Sequence, residues 1–457
     1  MPIELKFFPH FQHLTRDRMS MVLLDVKSAT IMAVSRSMAT VLEEVYRHGS
    51  INEESIRSAE CLLLLYGNSS EDANLAISEV LALRDKGYFQ EKETERGHGA
   101  KRSAIVLNVS HTCQLKCTYC FAAQGSFGKS DTDALMTMET GKRAIDFFLE
   151  NADPSVETYS ITYFGGEPMM NWDIIETLTL YAIAQAAALG KKVRFIITTN
   201  GYNVDEVKAR FMYDHGFSVM VSIDGNRDLH NALRPHTDSC EDSYNLSITA
   251  INQFVKTFGK VTASATVTSS CIDPRIVASY LKEAGVTDIL TALVEYSPVS
   301  RATVSPKELQ TYTRGLEEMF FSNDYMFRSL FGQYISQIGA PMLYPSICGF
   351  GDSTFCVDGS GRIYACQRVV ENEQFYLGDI YNGLVPSQVD TMVSYKSIAN
   401  ILGCRTCWAR YLCGGTCPGV SYESTGSHYV PDSHTCYIRQ RMVEHAIEAH
   451  LISQLSR

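Results

Sequence analysis

This sequence predicts an α/β chain built on a parallel sheet, with a small module before it and a cysteine-rich segment after it. Three observations carry the prediction. Between Ser103 and Val294, six apolar β-type segments alternate with helical ones, the pattern of successive βα units. Residues 1–95 instead read as two short strands followed by helices. The fourteen cysteines are unevenly spread, with three in Cys113–Cys120 and eight in Cys348–Cys436.

The elements follow in order. Met21–Asp25 and Thr30–Val34 read as strands around the turn Lys27–Ser28. Ser37–Arg47 reads as a helix with Met38, Val41, Leu42 and Val45 on one face. Two more helical stretches lead to Asp85–Phe89, and the charged, Gly-containing Glu91–Arg102 reads as a linker. Strands are expected at Ala104–Val109, Thr158–Phe164, Val193–Thr198, Ser218–Ile223, Val261–Thr268 and Ile289–Val294. Between them, Ala144, Ile145, Phe148 and Leu149 form an apolar helical stripe. Trp172–Leu189 ends at Gly190, and Asp273-Pro274 opens a helix. Ligands of such sheets bind at the carboxyl ends of the strands. Pro306–Ile338 reads as a helical bridge, and Tyr437–Leu455 as a closing helix.

Composition narrows the function. The 457 residues are 45% hydrophobic and 20% charged, as in ordinary globular proteins. A net charge of −11 argues against a nucleic-acid partner held by electrostatics. No apolar run approaches the roughly 20 residues of a membrane helix; the best is Cys61–Tyr66. Met1–Leu14 does not read as a signal peptide, so the expected compartment is the cytoplasm. Disulfides are disfavoured there, which makes the cysteines candidates for metal or redox chemistry. Cys61, Cys240 and Cys271 stand alone and read as small buried apolar residues.

Cys113-Gln-Leu-Lys-Cys117-Thr-Tyr-Cys120 follows the first strand of the sheet directly, with the spacing C-x3-C-x2-C. Three thiolates on a tight loop can hold three irons of a cubane and leave the fourth open to a cofactor. The alternative is a zinc knuckle, which needs a fourth ligand such as His111. Later strands end in Gly165-Gly166-Glu167-Pro168, Thr199-Asn200-Gly201 and Ser222-Ile223-Asp224-Gly225. Together with Tyr119 before the last cysteine, these motifs resemble the radical SAM superfamily over Ser103–Val294. The resemblance implies a partial (β/α)6 TIM-like barrel. It also implies a [4Fe–4S] cluster on Cys113, Cys117 and Cys120 that cleaves S-adenosylmethionine to a 5′-deoxyadenosyl radical. Tyr119, Gly165, Gly166, Glu167, Pro168, Asn200, Ser222, Asp224 and Arg234 are then the cofactor-binding candidates.

The second cluster runs Cys348-x12-Gly361-x4-Cys366, then Cys404-x2-Cys407-x5-Cys413-x3-Cys417, then Cys436. A pair of zinc ribbons would explain the C-x2-C alone. The full order resembles the SPASM domain of peptide-modifying radical SAM enzymes. By that resemblance Cys404, Cys407, Cys413 and Cys436 hold auxiliary cluster II, and Cys348, Cys366 and Cys417 hold auxiliary cluster I, three [4Fe–4S] clusters in all. Cys356 lies on an expected strand, Thr354–Val357. As a ligand it would close cluster I; otherwise one iron is open to a substrate thiolate.

Val22-Leu-Leu-Asp-Val-Lys-Ser28 and the helix after it resemble the RiPP recognition element, a winged-helix module that binds leader peptides of ribosomally made, modified peptides. A DNA-binding winged helix is the alternative, and the acidic chain disfavours it. The domains expected are 1–95 recognition element, 96–305 radical SAM partial barrel, 306–345 helical bridge and 346–457 SPASM domain. Cys348-Gly-Phe-Gly351, Gly361–Cys366 and Tyr376-Leu-Gly-Asp379 are most similar to the thioether-forming SCIFF/ranthipeptide maturases. The resemblance implies a precursor peptide with a leader as substrate, and a flavodoxin or ferredoxin as reductant. Other readings are a C–C or ether cross-linking maturase, a formylglycine-forming sulfatase maturase, and a non-enzymatic, zinc-stabilised leader-binding module. No catalytic acid or base is legible.

Overall fold

Alternating apolar residues on short strands need a cover on each face, and the N-terminal module finds one on each side. The computed structural model describes residues 5–8, 21–89, 101–127, 135–238, 241–286, 288–295, 304–322, 327–328, 330–340, 346 and 348–455. Cys240 and most of the expected linker Glu91–Arg102 lie outside them. Strands β1 (Leu5–Phe8), β2 (Met21–Asp25) and β3 (Thr30–Val34) form an antiparallel sheet in the order β1-β2-β3; β1 is an addition to the expected pair. Three helices follow, Arg36–His48, Glu53–Leu65 and Ser70–Asp85. Ser35, Asn52 and Ser69 cap their first turns through side-chain oxygens. Leu23, Met32 and Val34 pack with Val41, Leu42 and Val45 of the first helix. Phe8, Val22, Leu24 and Val26 belong instead to the core of the main body. There the Phe8 ring meets the edge of Trp408, with centroids 5.6 Å apart.

The six expected strands of the sheet are present, each within two residues of its predicted ends. They are β4 (Ala104–Ser110), β5 (Thr158–Gly165), β6 (Lys192–Thr199), β7 (Phe217–Ser222), β8 (Thr262–Val267) and β9 (Asp288–Leu293). All are parallel and stand side by side in chain order. One hand of crossover therefore sets every connecting helix on the same face. Ile105, Leu107, Tyr159, Ile161 and Tyr163 bury that face against Phe147, Phe148 and Leu178.

The sheet continues past both ends of this set. A two-residue strand, β10 (Phe327–Arg328), runs parallel beside β9. Beyond β4, β11 (Thr354–Val357) adds in parallel. It is followed by antiparallel β12 (Arg362–Tyr364), β13 (Tyr376–Asp379) and β14 (Gly383–Leu384). The cysteine-rich segment thus contributes four strands to a main sheet of eleven among the described residues. Helices Pro306–Phe321 and Leu330–Gln337 bridge the two parts, and Ser433–Leu455 packs across both. That last helix starts at Ser433 rather than Tyr437, because the Asp432 carboxylate accepts the Thr435 N–H at 2.6 Å. No helix among the described residues is long and apolar enough to cross a membrane.

Candidate functional site

A cavity of about 730 Å³ opens at the carboxyl ends of the parallel strands. Cys113, Cys117, Tyr119, Cys120, Gly165, Gly166, Glu167, Asn200, Ser222 and Arg234 all line it. Pro168 and Asp224 do not. Pro168 begins the single 3-10 turn Pro168–Asn171 behind the wall, and Asp224 is fully buried behind Arg234.

The cysteine loop is held by its own backbone. Lys116 N–H and Thr118 N–H donate to the carbonyls of Pro235 and Leu233 at 2.8 and 2.9 Å, and Thr237 N–H donates to Gln114 C=O at 2.7 Å. The loop also needs the two glycines opposite. A Cβ on Gly166 would stand 2.4 Å from the Thr112 oxygen, and one on Gly165 (φ +152°) 2.2 Å from that of Ser110. Leu115 N–H donates to the Cys113 sulfur at 3.3 Å, and Asn200 Nδ2 lies 3.6 Å from it. Burial pushes the Cys113 thiol up to about 12 and the Cys117 thiol up to about 11, and neighbouring thiols add to both shifts. A bound metal cation would bring such a thiol to thiolate.

Glu167 is buried at the end of β5. Its carboxylate accepts Thr199 Oγ1–H at 2.7 Å, Asn200 N–H at 2.7 Å and Met169 N–H at 3.0 Å. Burial nevertheless raises its pKa to about 7. Arg234 donates to Asp224 through Nε (2.8 Å) and Nη2 (3.0 Å), and its guanidinium lies over the Tyr119 ring, 5.4 Å from the centroid. Asp224 also accepts from the Tyr119 hydroxyl and from Thr266 N–H. Burial would raise the Asp224 pKa, but the Arg234 charge and hydrogen bonds outweigh it and hold the carboxyl below its usual value.

The other cysteines gather in two groups. Burial, and after it the neighbouring thiols of Cys436, Cys413 and Cys407, push the Cys404 thiol up to about 12; burial with Cys413 and Cys407 pushes Cys436 up to about 11. Cys366 feels Cys417 and Cys348, and Cys417 feels Cys348. Cys356 stands at the edge of the second group: it couples to Cys366, and its side chain packs with Val106, Tyr364 and Val370. Among the described residues, the single set of three or more His, Cys, Asp or Glu ligand atoms all within 4.8 Å of one another is Glu317, His445 and Glu448. The thiols are spread wider than that, whereas tetrahedral zinc with Zn–S of about 2.3 Å needs sulfurs about 3.8 Å apart. Thiols spread this way fit a cubane better than a single zinc ion.

The radical SAM superfamily profile matches residues 107–240, the stretch that holds the cysteine loop, Gly165–Pro168, Asn200, Ser222, Asp224 and Arg234. Residues 107–240 form a radical SAM domain. Enzymes of that superfamily use a [4Fe–4S] cluster and S-adenosylmethionine. The chain is similar to the radical SAM cyclopropyl synthase TigE of Paramaledivibacter caminithermalis, at 21% identity over 86% of this chain and 87% of that protein. It is also similar to the cysteine-type anaerobic sulfatase-maturating enzyme of Clostridium novyi, at 24% identity over 69% of this chain and 87% of that protein. Among solved structures, native anSMEcpe with bound AdoMet superposes with a TM-score of 0.64 at 20% identity, covering 75% of this chain and 96% of that one. Streptococcus suis SuiB bound to precursor peptide SuiA gives 0.53 at 15% identity, covering 95% of this chain and 99% of that one.

The cavity has a second end that the sequence did not reveal. Glu295, Arg368, His434 and Arg439 line it. Glu295 stands 3.7 Å from both Arg368 and Arg439, and Arg368 also pairs with Glu423 at 3.0 Å. Each residue sits near a legible landmark: Glu295 after the sixth expected strand, Arg368 two residues past Cys366, and Arg439 three past Cys436. Nothing in the local pattern distinguishes them from surface charges.

Proposed function

We propose that this enzyme is a radical SAM/SPASM maturase that installs an intramolecular thioether, cysteine sulfur to carbon, in a ribosomally made precursor peptide. The observation that carries this reading is the two-ended cavity. One end presents the Cys113 loop, Glu167, Asn200 and Arg234, and the other presents charged residues beside both auxiliary cysteine groups. A substrate seated between them would touch both.

In this reading Cys113, Cys117 and Cys120 hold the first [4Fe–4S] cluster. Cys404, Cys407, Cys413 and Cys436 hold auxiliary cluster II, and Cys348, Cys366 and Cys417 hold auxiliary cluster I. When bound, the first cluster and S-adenosylmethionine supply a carbon-centred radical. Tyr119, Gly165, Gly166, Asn200, Ser222 and Arg234 seat the cofactor. Asp224 orients Arg234, and Pro168 fixes the turn behind Glu167. Cys356, placed among apolar side chains, is an edge neighbour rather than a ligand, which leaves a coordination position for a substrate thiol. A flavodoxin or ferredoxin supplies electrons.

Residues 1–95 act as the leader-binding element, 96–305 as the radical SAM domain, 306–345 as the bridge and 346–457 as the SPASM domain. The likeness to SuiB, which spans 95% of this chain and so reaches into the N-terminal module, supports a leader-dependent substrate. A second reading, formylglycine formation, is supported by the sulfatase-maturating relatives, which align with 69% of the chain.

The anaerobically reconstituted enzyme should carry about twelve irons. Cys113→Ala, Cys117→Ala or Cys120→Ala should remove about four of them and all SAM cleavage. The product should weigh two hydrogens less than the substrate, and one of its thiols should resist alkylation after reduction. A new aldehyde would establish the second reading instead. Two-hydrogen loss with every cysteine still alkylating would establish a C–C or ether cross-link.

A further inference from the structure

Three side chains able to hold a metal meet where the helix Pro306–Phe321 packs on the helix Ser433–Leu455, and none of them lines the cavity. Glu317 comes from the first helix. His445 and Glu448 come from the second, three residues apart and so on one face of it. One ligand atom of each lies within 4.8 Å of the other two. The side chains are half-buried, at 18, 18 and 21% exposure for Glu317, His445 and Glu448. Their chain neighbours Leu316, Ala446 and Ile447 belong to the main core. The informative atom is His445 Nδ1. It is shut off from solvent and stands 3.3 Å from a Glu317 oxygen and 3.4 Å from a Glu448 oxygen, yet it makes a directed hydrogen bond to neither. These separations match the edges of a zinc tetrahedron: Zn–N and Zn–O bonds of about 2.0–2.2 Å put neighbouring ligand atoms about 3.3–3.5 Å apart.

We infer that Glu317, His445 and Glu448 form a zinc site that pins the bridge helix to the closing helix. The chain supplies one nitrogen and two oxygens, and water completes the tetrahedron from the exposed side. Charge favours this occupant. A proton on His445 cancels one of the two carboxylate charges, whereas a divalent ion beside neutral His445 cancels both. The imidazole selects against calcium and magnesium, which take oxygen ligands. The site has a mechanical consequence for the cavity. Tyr312 on the first helix and Met442 on the second both line it, and they lie five and three residues before Glu317 and His445. Zinc therefore fixes the spacing of one cavity wall from outside the cavity. None of its ligands is a cysteine, so the site stands whether or not the proposed reaction does.

The test loads the iron-reconstituted, full-length enzyme with zinc, desalts it and counts the zinc retained by the wild type, Glu317→Gln and Glu448→Gln. The wild type should keep about one zinc more than either variant. Zinc should raise the unfolding temperature of the wild type and leave that of the variants unchanged, because only a folded site binds it. X-ray absorption at the zinc edge should show nitrogen and oxygen neighbours at about 2.0–2.2 Å; zinc on cysteine would instead show sulfur at about 2.3 Å. The absorption measurement needs the wild type alone, so it decides the matter if a variant fails to fold. Equal zinc in wild type and variants overturns the inference, and so does a wild-type zinc surrounded by sulfur alone. Either result would leave the three residues as an ion pair between two helices.

Discussion

Arg234 and Asp224 face each other through two parallel hydrogen bonds of 2.8 and 3.0 Å, and both side chains are almost wholly buried. One comes from the end of β7 and the other from the C-cap of the helix Arg227–Leu233. The pair therefore ties the strand to the segment that straps the cysteine loop. Arg234 lines the cavity and Asp224 does not. The carboxylate thus acts through the guanidinium, with Tyr119 fixing it from the other side.

Asp224→Asn should leave the buried Arg234 guanidinium without its carboxylate partner. Breaking such a pair costs about 3–5 kcal/mol. Thermal unfolding should shift down, and calorimetric affinity for S-adenosylmethionine should fall at least tenfold. Arg234→Lys should be little better, since a single ammonium cannot span both oxygens. Affinity unchanged in Asp224→Asn would show that the pair is structural only.

Cys356 couples to Cys366 while packing against Val106, Tyr364 and Val370. Cys356→Ala should therefore keep the full iron content, and Cys366→Ala should lose one cluster. Iron analysis with Mössbauer spectroscopy separates the two. Loss of about four irons in Cys356→Ala would mean that the residue closes auxiliary cluster I.

The N-terminal sheet buries one face in the main body through Phe8, Val22 and Leu24. Deleting the module would expose that surface, so a point change tests leader binding better. Ala33 is exposed on β3, which has a strand partner on one side only among the described residues. Ala33→Pro should lower precursor affinity at least tenfold by disturbing strand addition, and leave uncoupled SAM cleavage intact. Fluorescence anisotropy with a labelled precursor reads the first effect, and 5′-deoxyadenosine formation the second.

His445 stands 3.3 Å from Glu317 and 3.4 Å from Glu448. Burial disfavours its charge, but the two carboxylates outweigh burial and lift its pKa to about 9. The charged form is stabilised by folding. The contribution is complete below the ordinary value of 6.5 and is lost as pH rises through about 9. Unfolding temperature should drop across that window in the wild type and stay flatter in His445→Gln. Parallel profiles would remove His445 as the source.

The sequence by itself determined the parallel sheet, because six apolar segments alternate with helical ones and each strand's composition marks its ends within two residues. It also determined the cysteine loop and the strand-end motifs, since a loop of C-x3-C-x2-C and the glycines of Gly165-Gly166 are local features with local reasons. Even Cys356 on its strand Thr354–Val357 was legible from the apolar residues around it. Tertiary structure alone decided three things. It joined β11 to β4, a pairing across about 250 residues that no periodicity encodes. It turned the Phe8, Val22 and Leu24 face of the small sheet into the main core, although the alternation of that strand says only that some face is buried. And it brought Glu295, Arg368 and Arg439 from three separate elements to one end of the cavity. A single charged residue carries no periodic signal, so its partners exist only once the chain is folded.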